Sequence, residues 1–164
     1  MSKISPIIHQ TWKNSSLPPF FDGLAETWKM YHPTWEYILW TDEMNRDFIK
    51  EHYPFFLEKY DQYPQNIQRV DAFRYCVLSK MGGVYVDLDF ECLENMECLF
   101  ENQACVIGKE PLLHAQRFSR EMILCNAFMA CSQGNSFMEF VCNKVITFPS
   151  IEVLSPVDVL NFAQ

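Results

Sequence analysis

The chain lacks any apolar run approaching the roughly 20 residues that a bilayer-spanning helix takes. Its amino end, MSKISPIIHQTWK, has no long apolar stretch of the kind a secretion signal carries. Both absences point to a soluble, cytoplasmic chain with no transmembrane segment, attachment to a membrane surface staying open. Positive charge is scarce. Lys and Arg number 13 against 21 Asp and Glu, giving a net charge of -8 and a pI near 4.9. Nucleic-acid binding normally shows a basic patch, so no nucleic-acid partner is expected. A small phosphate-bearing ligand stays open, because it needs only a few local cations or a metal. The seven cysteines (76, 92, 98, 105, 125, 131 and 142) include no C-x-x-C pair. An odd count without a signal segment fits reduced thiols, packing as small apolar residues, better than a disulfide framework or a structural zinc. Repeats, low-complexity linkers and composition breaks are also missing. With 164 residues, the expectation is one domain over 1–164.

What is present is a real core. Hydrophobic residues make up 49% and aromatic residues 15%, with Trp12, Trp28, Trp35 and Trp40 all in the first quarter. SPIIHQTW reads as a short buried strand around Ile7 and Ile8, and residues 20–31 as a helix ended by Pro33. WEYILW reads as a second strand. Thr41 then caps a helix running to about His52, with Asp42 and Glu43 in its first turn. Pro54 opens another short helix and Pro64 closes it. A stronger helix covers about 65–81 and stops at Gly82-Gly83. Beyond residue 100, ACVIG suggests a strand and SREMILCNAFMAC has mixed character. NSFMEFVCNKVI fits a helix with Phe137, Phe140, Val141 and Ile146 inside. Strands alternating with helices indicate an α/β fold.

Two features of this pattern are physically odd. In GGVYVDLDFE, a period of two puts Val84, Val86, Leu88 and Phe90 on one face, and Tyr85, Asp87, Asp89 and Glu91 on the other. Carboxylates two apart on a strand lie roughly 7 Å apart and repel by about 2 kcal/mol at an effective dielectric near 20. A solvated edge strand would tolerate this. The flanking apolar residues instead suggest a central strand ending at a cleft, where Mg²⁺ or Mn²⁺ would turn repulsion into attraction. The second oddity lies in the preceding helix. Ile67, Val70, Val77, Leu78 and Met81 share one arc, with Arg74 in its middle and Asp71 at its edge. An arginine there is costly unless paired, and Asp71 at i−3 is a ready partner. The pair either orders the helix or forms a cleft wall that binds hydroxyls or a phosphate. Arg69 and Lys80 point away and read as solvated.

Taken together, IIHQTWK, HPTWEYILWTDE, NIQRVDAFRYCVLSKMGGVYVDLDFECL and ILCNAFMA resemble the DXD-containing sugar-transferase family 32, over roughly residues 4–145. That family includes initiating mannosyltransferases, and its core is related to the clostridial glucosylating toxins. The resemblance implies a GT-A fold, a Rossmann-like sheet flanked by helices that binds a nucleotide sugar at the carboxyl ends of its strands. It implies Mn²⁺ or Mg²⁺ on Asp89, bridging the donor diphosphate, with Asp87 on the ribose or the metal's water shell. Asp71 and Arg74 would contact donor sugar and phosphate, Trp12 would stack the base, Tyr85 would line the pocket, and Asn126 would lie near the sugar. Asp87, Asp89 and Arg74 are thus the implied catalytic set. The donor would be a UDP- or GDP-sugar, the acceptor a glycan, lipid or protein, and the transfer retaining.

Weaker candidates surround this set. His9 reads as a satisfied polar residue, not a ligand. Glu110 and His114 either line the acceptor side or are an ordinary loop carboxylate and surface imidazole. Glu91 reads as ordering the strand end. Resembling chains usually continue past this region into a segment that covers the donor, whereas here LSPVDVL stands where a Gly-Pro turn is common. A minimal enzyme, a truncated fragment and a non-catalytic sugar-nucleotide-binding remnant all fit that departure. A D-x-D phosphatase is a more distant reading, since DLDFECLEN lacks the residues expected after its motif.

Overall fold

The computed structural model describes residues 3–147. Strand β1 (Ile7–Thr11) leads to helix α1 (Pro19–Tyr31), β2 (Glu36–Trp40) and α2 (Asp42–His52). A 3-10 turn (Pro54–Phe56) runs into α3 (Leu57–Gln62), and α4 (Asn66–Met81) follows. Then come β3 (Gly83–Val86), α5 (Glu97–Phe100), β4 (Cys105–Lys109), α6 (Leu112–Arg117), β5 (Leu124–Cys131) and α7 (Ser136–Thr147). Among the described residues the strands form one sheet in the order β2-β1-β3-β5-β4. The first three are mutually parallel, and β5 runs antiparallel to both β3 and β4. This is the expected α/β arrangement, with β3 central and not at an edge.

Alternation along the strands sorts the core into two sides. Ile38, Trp40, Tyr85, Met129 and Cys131 face α2, α3, α4 and α7. Ile8, Val84, Val86 and Ala130 face the opposite side, where Trp28 of α1 and Phe100 of α5 pack. Local chemistry explains the helix ends. Thr41 caps α2 by accepting from the Met44 N–H at 3.2 Å. At the start of α4, Gln65 and Gln68 form a reciprocal capping box. Gly82 and Gly83 close it with φ of 68° and 95°. A Cβ on Gly83 would stand 2.6 Å from the Ile7 carbonyl oxygen, so only glycine lets α4 turn this tightly into β3 beside β1.

Several expectations need correction. The strand stops at Val86. The Phe90 N–H bonds the Asp87 carbonyl at 3.2 Å, so residues 87–90 turn instead of continuing the pleat. Leu88 is buried, but Phe90 is exposed. Ile67 is exposed as well, in the first turn of α4, and Phe140 lies on the open side of α7. Arg69 is half-buried and donates to the Tyr63 carbonyl at 2.7 Å. β5 and α6 occupy stretches with no clear sequence period. All seven cysteines are unbridged. No helix among the described residues is long and apolar enough to cross a membrane. The LSPVDVL stretch lies outside the described residues.

Candidate active site

The carboxyl ends of β1 and β3 and one face of α4 converge on a single charged cluster. Arg74 is only 3% exposed, yet it carries a charge that cannot be shed in a protein. Its Nη2 lies 2.8 Å from Asp71 Oδ1, and its Nη1 lies 3.4 Å from Asp87 Oδ1. Nη1 also donates to the Asn126 main-chain oxygen at 2.9 Å, and the guanidinium carbon stands 4.8 Å from the centre of the Tyr85 ring. The Tyr85 hydroxyl donates to Asp87 Oδ1 at 3.0 Å. Its proton being committed there, Thr11 Oγ1, 3.0 Å away, donates to the tyrosine oxygen in turn. The predicted Asp71–Arg74 pair therefore exists, and it extends to the first aspartate of D-x-D.

The turn that carries Asp87 and Asp89 is held from three sides. The Asp87 N–H donates to the Ala127 carbonyl at 2.9 Å. Gln10 Nε2 donates to the Asp87 carbonyl at 3.3 Å, and the Tyr37 hydroxyl donates to Gln10 Oε1 at 2.7 Å. From α1, Trp28 Nε1 donates to the Phe90 carbonyl at 2.9 Å, and Thr27 Oγ1 accepts from the Cys92 N–H at 2.9 Å. Asp89 and Glu91 project from this frame into solvent.

Charge in the cluster is not balanced. One buried guanidinium faces two carboxylates. Burial pushes both Asp71 and Asp87 above the usual carboxylate range, and Arg74 only partly offsets this. Arg74 Nε, Tyr75 Oη and Asn126 Nδ2 are buried here without a hydrogen-bond partner. Such groups are costly to leave unpaired, and water or a polar ligand would satisfy them. Asp87 is largely committed to Tyr85 and Arg74, which leaves Asp89 as the free carboxylate. No group of three His, Cys, Asp or Glu side chains able to hold a metal occurs among the described residues. That donor set does not form a closed protein cage. It does fit a hard cation that takes one or two carboxylates and completes its shell with water and phosphate oxygens.

The remaining candidates separate. Trp12 follows Thr11 at the same sheet end. Its ring lies 5.0 Å from Phe21, and its Nε1 is buried without a partner. His9 is a core residue: Trp40 Nε1 donates to its Nδ1 at 3.0 Å, so Nε2 carries the proton and donates to the Gly82 carbonyl at 2.9 Å. Burial pushes its pKa down to about 4. Glu110 and His114 pair with each other at 2.9 Å at the start of α6, apart from the cluster's hydrogen bonds. Gln10, Thr11, Tyr37 and Tyr75 are the residues that sequence reasoning missed. The polar pair Gln10-Thr11 inside an apolar strand was the available signal.

The family described as "Glycosyltransferase sugar-binding region containing DXD motif" matches residues 18–110, a span that includes Asp71, Arg74, Asp87 and Asp89. The chain belongs to this family. It is 45% identical over 109 residues to inositol phosphoceramide mannosyltransferase 2 of Schizosaccharomyces pombe, covering 66% of this chain and 32% of that protein. Mannosyl phosphorylinositol ceramide synthase SUR1 of Saccharomyces cerevisiae is 43% identical over 109 residues, covering 66% of this chain and 28% of the yeast protein. The chain thus spans about a third of the length of the curated relatives it matches. Among solved structures, the PaToxG glycosyltransferase superposes with a TM-score of 0.67 at 14% identity, over 99% of this chain and 69% of that one. This likeness shows a GT-A fold.

Proposed function

We propose that the chain is the donor-binding core of a glycosyltransferase that moves a sugar from a UDP- or GDP-sugar to an acceptor hydroxyl. The observation that carries this reading is the Asp71–Arg74–Asp87 cluster at the carboxyl end of the central strand of a GT-A sheet. Ligands of open α/β sheets bind at that end. Mannose is the sugar, and an inositol phosphoceramide-type lipid the acceptor, that the relatives' names suggest.

The roles follow from charge and position. Arg74, fixed by Asp71 and Asp87, presents a preorganised positive group to the leaving nucleoside diphosphate, whose charge grows in the transition state. Asp87 holds Arg74 and Tyr85 in place and offers its exposed edge to the ribose or to a metal-bound water. Asp89, with Asp87 behind it, would hold Mg²⁺ or Mn²⁺, which supplies further neutralisation of the diphosphate. The Asn126 amide would serve as a donor for a sugar hydroxyl, and Trp12 would offer a ring for the base. Transfer with retention of anomeric configuration is part of this reading, and the anomeric configuration of the product tests it. Asp87 already accepts from Tyr85 and Arg74, which argues against a phosphatase that would need it as a free nucleophile.

The test is a thermal-shift panel of nucleoside diphosphates and nucleotide sugars, each with and without Mn²⁺. A bound donor raises the melting temperature by mass action. Metal-dependent stabilisation by one base supports the reading. Binding without turnover in the presence of acceptors would instead mark a non-catalytic nucleotide-sugar-binding protein.

A further inference from the structure

Helices α4 and α7 pack against each other on the sheet side opposite α1, and two thiols meet at that seam. The sulfur atoms of Cys76 and Cys142 lie 3.6 Å apart, and both residues are buried. A polar cavity of about 240 Å³ opens onto Cys142 and not onto Cys76. His52, Tyr53, Ser79, Lys80 and Glu139 share its wall. The two thiols therefore differ in access: one can meet a small solute, and the other stands directly behind it.

They also differ in acidity. The hydrogen bond between the two thiols, with the neighbouring Tyr53 and Ser79 side chains, holds the Cys142 thiol below its ordinary range against the opposing effects of burial and Glu139. Burial pushes the Cys76 thiol up. The other thiols lack this arrangement. Cys98 is exposed, and Cys131, which faces Cys105 across β4 and β5, donates its S–H to the Leu78 carbonyl at 3.4 Å.

We propose that Cys142 and Cys76 form a peroxide-reactive thiol pair that closes to a disulfide between α4 and α7. The Cys142 thiolate attacks one oxygen of hydrogen peroxide and breaks the O–O bond. This leaves a sulfenic acid and a hydroxide, which takes up the thiol's proton as water. The Cys76 sulfur then displaces the sulfenic hydroxyl, which leaves with the Cys76 proton as a second water. Two thiols are oxidised to one disulfide, and one peroxide is reduced to two waters. The bridge would tie α7 to the helix that carries Asp71 and Arg74, so the site stands two residues from the charged cluster along α4. This proposal is independent of the sugar-transfer reading.

The test uses the full chain carrying Cys98→Ser, which removes the exposed thiol. The folded protein is titrated with hydrogen peroxide, excess peroxide is removed, free thiols are blocked with N-ethylmaleimide in denaturant, and non-reducing digests are read by mass spectrometry. The expected product is a Cys76–Cys142 cross-linked peptide, reversed by dithiothreitol, with a melting temperature several degrees above the reduced form. Adding Cys142→Ser should abolish the cross-link and return Cys76 as its maleimide adduct. Recovery of both residues as maleimide adducts after peroxide would overturn the proposal. So would accumulation of Cys142 as sulfinic acid with Cys76 unmodified. A dominant bridge between Cys105 and Cys131, which face each other across β4 and β5, would overturn it equally.

Discussion

Arg74, in the middle of helix α4, meets Asp87 at 3.4 Å just past the carboxyl end of strand β3, joining the two odd features of the sequence into one site. Each has a closer partner as well, Asp71 for Arg74 at 2.8 Å and the Tyr85 hydroxyl for Asp87 at 3.0 Å, so the contact belongs to a wider network. Arg74 sits in an apolar helix arc, and Asp87 is pushed toward its neutral form by burial. Arg74→Ala should therefore cost about 3–5 kcal/mol, the usual penalty for stranding a buried charge partner. Arg74→Lys keeps the charge but loses the planar fork, and should retain more stability than nucleotide affinity. Urea melts together with nucleotide titrations separate these two effects.

Asp89 should behave in the opposite way. It is exposed in the 87–90 turn, so Asp89→Asn should change stability by less than about 0.5 kcal/mol. The same variant should lose the Mn²⁺-dependent part of nucleotide binding. Thermal shifts with and without Mn²⁺ read both effects on one sample. A large stability loss, or unchanged metal dependence, would remove Asp89 from the metal-holding role.

Gly83 is the backbone device that makes the site possible. At φ 95°, with Ile7 close by, Gly83→Ala carries about 1–3 kcal/mol of backbone strain in addition to the collision. Its melting temperature should fall by several degrees or more. Gly23 has open space around it and serves as the control for the same substitution.

His9 sets a pH dependence with a definite sign. Its folded pKa of about 4 lies below the ordinary histidine value of 6.5, so the unfolded chain takes up the proton first. The stability it helps maintain is intact above pH 6.5 and is lost as pH falls toward 4. The total is about 3 kcal/mol at most, from the size of the shift. His9→Gln removes the titration. The stability difference, wild type minus variant, should therefore fall on acidification across that window. A difference that stays flat would mean that His9 is not buried neutral.

The legible parts of this fold were those whose cause is local. Thr41, the Gly82-Gly83 stop and the 3.6-residue period of α4 act within a few residues, and Arg74 stood out because it broke that period. The illegible parts depend on partners far along the chain. Alternation in VYVDLDF runs through Phe90, but the strand ends at Val86. Gln10 and Trp28 instead grip the carbonyls of Asp87 and Phe90. β5 pairs with β3 and β4 and is covered on both faces, so LCNAFMAC shows no polar alternation. Tyr85 was expected on the cleft-facing side of the strand, lining the donor pocket, and is fully buried, because α4 lies over it. Donor and acceptor identity depends on individual groups around the cluster, and no local period encodes those.

The most direct measurement is release of nucleoside diphosphate from a panel of UDP- and GDP-sugars, GDP-mannose included, by the full chain with Mn²⁺ and an acceptor mixture. The account predicts metal-dependent release from one nucleotide class, abolished by Asp89→Asn in a protein that melts like the wild type. Folded protein that neither binds nor turns over any nucleotide sugar, with any divalent metal, would contradict it.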